Sequence, residues 1–255
     1  VMDAVHGWEG AHKTGERQYV WSRVETGVKG EHWGMGLQFR KDYALSFSKD
    51  ASELFGAIQN DEDLDAGRTY DVNLEANIIE TTGLRFTWQD LMLPTLKTEF
   101  GLTLLKADYM IDGSLNGTAL ATGDKSYTYS AWADYSYTED VLFEREVDSV
   151  TGYGFALDAH VDWQFRPDWR LDLQAKDLPG WVWWKDLPYT RATAESAREH
   201  TEDDGFRSWD PMVSGIESNH SRYKQTLPFK GTGDIYYSGW DMTVAGGLSY
   251  QFNDL

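Results

Sequence analysis

The stretch Tyr153–Leu173, YGFALDAHVDWQFRPDWRLDL, decides the fold. Two runs of strict alternation flank a Pro167-Asp168 corner. Tyr153, Phe155, Leu157, Ala159, Val161, Trp163 and Phe165 share one parity, continued by Trp169, Leu171 and Leu173. Asp158, His160, Asp162 and Gln164 hold the other, continued by Arg170 and Asp172. Side chains alternate across a strand, so this is a hairpin with one apolar and one charged face.

The same period recurs along the chain. Trp33, Met35, Leu37 and Phe39 oppose Gly34, Gly36, Gln38 and Arg40. Tyr70 to Ile78 alternates with Asp71, Asn73, Glu75 and Asn77, and Leu84, Phe86 and Trp88 oppose Arg85, Thr87 and Gln89. Softer alternation runs through Tyr127–Tyr137 and Met242–Phe252. Globular strands average about 5–6 residues, whereas a tilted strand crossing a bilayer needs about 9–11. Several runs here reach the longer figure. Turns are expected at Arg166-Pro167-Asp168, Thr81-Thr82-Gly83 and Arg40-Lys41-Asp42. A short helix is expected over 52–58, within the acidic stretch 49–68. The segment 190–222 lacks alternation and reads as a long loop.

Composition narrows the classes. The 255 residues carry 23 Lys plus Arg against 42 Asp plus Glu, a formal charge of -19. A phosphate backbone would be repelled, so no nucleic-acid partner is expected. Without cysteine there is no disulfide framework or thiolate metal site. No apolar run is long enough for a membrane helix. The opening VMDAVHGWEG reads as a mature N-terminus, with no signal peptide visible. The chain holds 12 Trp, 14 Tyr and 11 Phe, many at alternate positions beside polar residues.

Two solvents explain such strands. A water-soluble sandwich or ligand-holding barrel puts the apolar face inside. A membrane barrel puts it against lipid, with polar groups lining the lumen and Trp and Tyr at the interfaces. Strand length and aromatic content favour the second. Interface aromatics are then Trp33, Trp163, Trp169, Trp181, Trp183, Trp184, Tyr250 and Phe252. Lumen-lining residues are Asp71, Asn73, Glu75, Arg85, Asp158, His160, Asp162, Arg170, Asp172 and Lys176.

The segment Gly247–Phe252, GLSYQF, resembles the closing-strand signal of Gram-negative outer-membrane β-barrels, an alternating strand ending in Phe. Here Asn253, Asp254 and Leu255 follow it. The resemblance implies an all-β, closed antiparallel transmembrane barrel in the bacterial outer membrane, in contact with lipid and lipopolysaccharide. The expected architecture is one domain over 1–255 with about 12 strands (range 10–14) and long polar loops on one rim. An N-terminal segment, 1–16, precedes the strands.

The expected function is a porin-like channel for small polar solutes or ions. The alternative is a structural or assembly barrel whose lumen is plugged by ion pairs and which docks another envelope protein or a second copy. No enzyme, cofactor or metal is expected. Asn219-His220-Ser221-Arg222 puts His beside Ser, but adjacent residues point oppositely on a strand. His160 between Asp158 and Asp162 reads as a solvated ion cluster rather than a metal site. The acidic run Glu195–Gly205 reads as a solvated loop, with bridging of divalent ions to lipopolysaccharide phosphates as the other use.

Overall fold

The computed structural model describes residues 17–195, 213–238 and the backbone of 246–252. Every strand pairing in it is antiparallel. The order is β1 (Arg17–Lys29), β2 (Trp33–Phe47), α1 (Lys49–Asn60), β3 (Thr69–Leu93), β4 (Leu96–Gly123) and β5 (Ser126–Tyr137). Then come β6 (Gly152–Arg166), β7 (Trp169–Lys176), β8 (Gly180–Glu195), β9 (Val213–Thr226), β10 (Lys230–Tyr237) and β11 (Gly246–Phe252). They form one 11-stranded sheet.

The register reduces this list to a simpler path. β5 pairs β4 at Ile111–Gly123, and β6 continues along the same edge of β4 at Leu96–Ala107. β6 then pairs β7 and, past a break at 177–179, β8. β9 follows β8, and β10 follows β7, across a second break at 227–229. The sheet is therefore a meander of eight strand lines: β1, β2, β3, β4, β5 with β6, β7 with β8, β9 with β10, and β11. Hairpins at 30–32, 94–95 and 167–168 mark one end. The other, helix-bearing end carries α1 and the tight turn at 124–125.

Two expected turns are strand instead. Arg40–Asp42 continues β2, and Thr81–Gly83 lies inside the 25-residue β3. Charge and glycine suggested corners, but both have other causes. Arg40 and Asp42 face each other's partners on the buried side. Gly83 lets β4 approach: a Cβ there would meet Thr103 Cγ2 at 2.7 Å and Leu104 O at 3.0 Å. The expected loop 190–222 is also shorter. Residues 190–195 extend β8 and 213–222 belong to β9. β9 is polar on both faces, which hid its period. Residues 1–16 and the acidic run beyond Glu195 lie outside the described residues.

The helix forms where expected and is longer. Ser48 Oγ accepts from the Ala51 N–H at 3.1 Å as N-cap, and Asp61 ends the helix in the left-handed region. Ala51 and Leu54 bury against Tyr70, Val72, Ala119, Ala121 and Tyr127. Between β5 and β6 the excursion 138–151 folds back, setting Val141, Phe143 and Val147 against Leu45, Ile78, Ile111 and Tyr135. Both additions cover the apolar sheet face at the helix-bearing end only.

Toward the hairpin end that face is bare. Cross-strand rows run Trp33–Trp88–Phe100, Met35–Phe86–Leu102 and Leu37–Leu84–Leu104. Leu37 is 49% exposed, Phe39 52% and Phe100 55%. The opposite face is closed off: Arg40 is 2% exposed, Asp42 0% and Asp158 7%. Arg23 on β1 reaches Asp158 on β6 at 3.3 Å, so the sheet curls with its charged face inside. This inverts a water-soluble protein, whose buried face is apolar and whose charges are solvated.

Candidate functional site: the charged interior and the apolar band

The interior is layered. Its first layer is a chain of ion pairs built from seven of the eight strand lines, all but β11. Lys29 meets Glu99 at 3.0 Å, Glu99 meets Arg85 at 3.6 Å, and Arg85 meets Asp158 at 3.0 Å. Asp158 accepts from Arg23. Asp177 accepts from Arg40 at 2.6 and 2.8 Å and from Lys230 at 2.7 Å. Asp42 takes Arg40 again and Lys230 at 3.0 Å. Buried charges persist only when paired and hydrogen-bonded in this way.

Asp177 reaches the centre because the chain bulges there. Its φ of 61° lies in the left-handed region, and its N–H donates to Asp158 Oδ1 at 3.1 Å. β6 bridges the break by bonding Leu178 N–H and Pro179 O through Leu157. The second layer is apolar. Leu105, Met110, Val182, Trp184, Leu187 and Leu227 pack together beyond the ion pairs, toward the helix-bearing end.

Beyond that layer lies a cavity of about 700 Å³, lined by Glu75, Asn77, Asp112, Ser114, Trp132 and Tyr223 among others. Asp112 sits past Lys106, where the bare apolar band has ended. Burial, helped by the charge of Glu75, pushes its carboxyl up to about 6, against a hydrogen bond from Tyr223. An unfolded Asp titrates near 3.9, so the folded state holds this proton more tightly. The stability it confers is complete below about pH 4 and is lost as pH rises through about 6. Asp112→Asn is expected to flatten that slope and to gain up to about 3 kcal/mol at pH 7.5. Urea midpoints at pH 4.5 and 7.5 check it; equal slopes in both proteins would contradict it.

The sequence-expected interior residues divide. Arg85 and Asp158 lie in the ion-pair layer. Toward the hairpin end, His160 Nε2 meets Asp172 at 3.1 Å and Arg170 meets Asp162 at 2.7 Å. Lys176 lies over the Trp21 ring at 4.4 Å. Glu75 lines the cavity. Asp71 and Asn73 share the face but are exposed at its far end, their N–H groups bonded to Asp50 and Ser48 at the start of α1. Among the described residues no group of three potential metal ligands forms.

Sequence reasoning missed Arg23, Arg40, Asp42, Asp177 and Lys230, the densest part of the network. Arg40 and Asp42 follow Gln38 at the same parity, which was the available signal. The bulge at Asp177 breaks parity and hides that residue.

Aromatic residues mark both edges of the band. At the hairpin end Trp163, Phe165, Trp169 and Tyr237 follow one another at centroid distances of 5.4, 6.3 and 4.7 Å. Trp33 and Trp88 pair there too. At the other edge Tyr153 and Trp183 are exposed, Phe155 meets Trp181 edge-on at 5.6 Å, and Lys224 Nζ sits 3.9 Å from the Trp181 centroid. Lys41, Glu80 and Lys106 lie along this edge, with Lys41 bonded to Glu80 at 2.9 Å. One expected interface residue is misplaced. Trp184 is 1% exposed, inside the apolar layer, because Trp181 and Trp183 point outward and Val182 and Trp184 inward. Tyr250 and Phe252 lie in β11 opposite Gly233 and Gly231; their side chains fall outside the described residues.

No protein-family model, no curated protein and no solved structure matches this chain.

Proposed function

We propose that the chain is a bacterial outer-membrane β-barrel of eight strand lines, closed by β11 against β1, with a sealed lumen. It serves as a structural or assembly component, and its covered, helix-bearing end docks another envelope protein. One observation carries the reading: bare aliphatic and aromatic side chains outside, paired charges inside. Lipid is the solvent that tolerates the first and requires the second.

The dimensions agree. Tyr153 and Phe165 stand at the two aromatic edges. At about 3.3 Å per residue and a tilt near 45° they are about 28 Å apart along the barrel axis. Known outer-membrane barrels carry an apolar band about 25 Å tall between aromatic girdles. An eight-strand barrel has an interior just wide enough for side chains to fill, and here ion pairs and an apolar layer do so. Among the described residues no helix is long and apolar enough to cross a membrane. The closing-strand resemblance of Gly247–Phe252 supports the outer membrane and contact with lipid and lipopolysaccharide.

Planar-bilayer recording tests the sealed lumen. Folded protein, identified by its heat-modifiable migration on a gel, is expected to give no steady single-channel current. Discrete open steps would overturn the seal and favour a porin-like channel for small polar solutes or ions.

A further inference from the structure

Most cations among the described residues are paired. Lys29, Lys41, Lys106 and Arg191 each meet a carboxylate, as the interior arginines do. Three cations at the helix-side edge of the apolar band do not. Arg222 and Lys224 lie two apart on β9, so both point outward with Trp183, the β8 partner of Lys224. Tyr223 between them faces the cavity. On β8 a bulge between Trp184 and Leu187 sets Lys185 and Asp186 together opposite Arg222. All three cations are exposed. Among the described residues no carboxylate, Asp186 included, forms an ion pair with any of them.

Two features say what fits there. The first is charge. Like charges opposite one another across a ladder repel. A chain of net charge -19 had carboxylates in plenty to separate them, yet this cluster is left for an anion from outside. The second is the bed beneath. Lys224 Nζ sits 3.9 Å from the Trp181 centroid and 5.8 Å from that of Trp183. Phe155 packs against both rings, at 5.6 and 5.8 Å. Tyr153, opposite Trp183, is 63% exposed. The Lys224 stem thus crosses apolar surface while its ammonium rests where that surface ends. A free anion gains nothing from such a bed, whereas an amphiphile with an anionic head and acyl tails uses both parts.

We propose that Lys185, Arg222 and Lys224 form a headgroup site for an anionic phospholipid. Its phosphate is held among the three cations, and its acyl chains lie over Trp181, Trp183 and Phe155. The inference rests on the membrane reading above and adds to it a preferred lipid at a fixed place on the wall.

Two measurements on the folded full chain test it. Flotation with pure phosphatidylcholine liposomes after a carbonate wash checks the membrane reading alone. Native mass spectrometry from non-ionic detergent, with equal phosphatidylglycerol and phosphatidylcholine added, checks the site. The phosphatidylglycerol adduct is expected to exceed the other by about tenfold. Arg222→Gln and Lys224→Gln should each lower that ratio about fivefold, and the double variant should bring it close to parity. Lys41→Gln/Lys106→Gln removes lysines at the same edge that are already paired, and should leave the ratio unchanged. Equal adducts on the parent protein overturn the proposal. So does a ratio that survives the double variant, or that falls equally in the paired-lysine variant, since either describes diffuse attraction. Displacement of the adduct by millimolar inorganic phosphate would mark a free-anion site and also overturn it. Flotation with an unselective spectrum removes the headgroup site and leaves the membrane reading standing; failure to float removes both.

Discussion

Asp177→Ala is expected to cost about 3–5 kcal/mol, the largest loss of any single interior substitution. The carboxylate is fully buried and takes Arg40 through both oxygens and Lys230 through one, with Arg23 at 3.8 Å. Without it Arg40 and Lys230 must share Asp42, leaving two buried cations against one anion. The pair itself adds little net stability over an apolar filling; the loss comes from the uncompensated charge. Arg40→Met in the Asp177→Ala background should therefore recover part of the loss, and a double-mutant cycle reads that coupling. Arg170→Ala is the control. Arg170 is 53% exposed in its pair with Asp162, so its removal should cost under about 1 kcal/mol. Denaturant midpoints that rank Arg170 with Asp177 would refute the buried network as the source.

Leu37→Arg is expected to destabilise the protein in lipid by about 2–4 kcal/mol, with Leu104→Arg behaving alike. Leu37, Leu84 and Leu104 form one row across three strands within the bare band. On the membrane proposal a guanidinium there would have to leave water for hydrocarbon. If the same face met water, replacing a half-exposed leucine would change stability by no more than about 0.5 kcal/mol. Thr82→Arg, beside Lys106 at the band's edge, should cost only about 0–1 kcal/mol. Unfolding midpoints in liposomes separate the outcomes. A flat response across Leu37, Leu104 and Thr82 would end the membrane reading.

The two faces were legible in the sequence wherever alternation was strict. Leu157 is exposed and Asp158 buried, and the parity of Tyr153–Leu173 alone separates them. The polarity of the environment was less visible, since alternation does not say which face meets which solvent. Strand length was legible only in part. Charged residues inside β2 and a glycine inside β3 imitate turns in a water-soluble context, because there a charge implies exposure. In this sheet charge implies burial, so Arg40 and Asp42 mark the interior. Asp177 and Trp184 were hidden for geometric reasons. A bulge shifts the parity of the first, and the second sits in an aromatic run whose members alternate. The cavity combines residues from β1 to β9, contacts of long sequence separation that local periodicity does not encode.

β3 and β4 overtop β2. Phe47, the last residue of β2, pairs with Leu74, and residues 69–73 of β3 run on above it. Tyr70 and Val72 on that overhang are where Ala51 and Leu54 of α1 bury. The helix is thus carried on a ledge of two taller strands, and trimming that ledge would remove its footing while leaving the wall below intact.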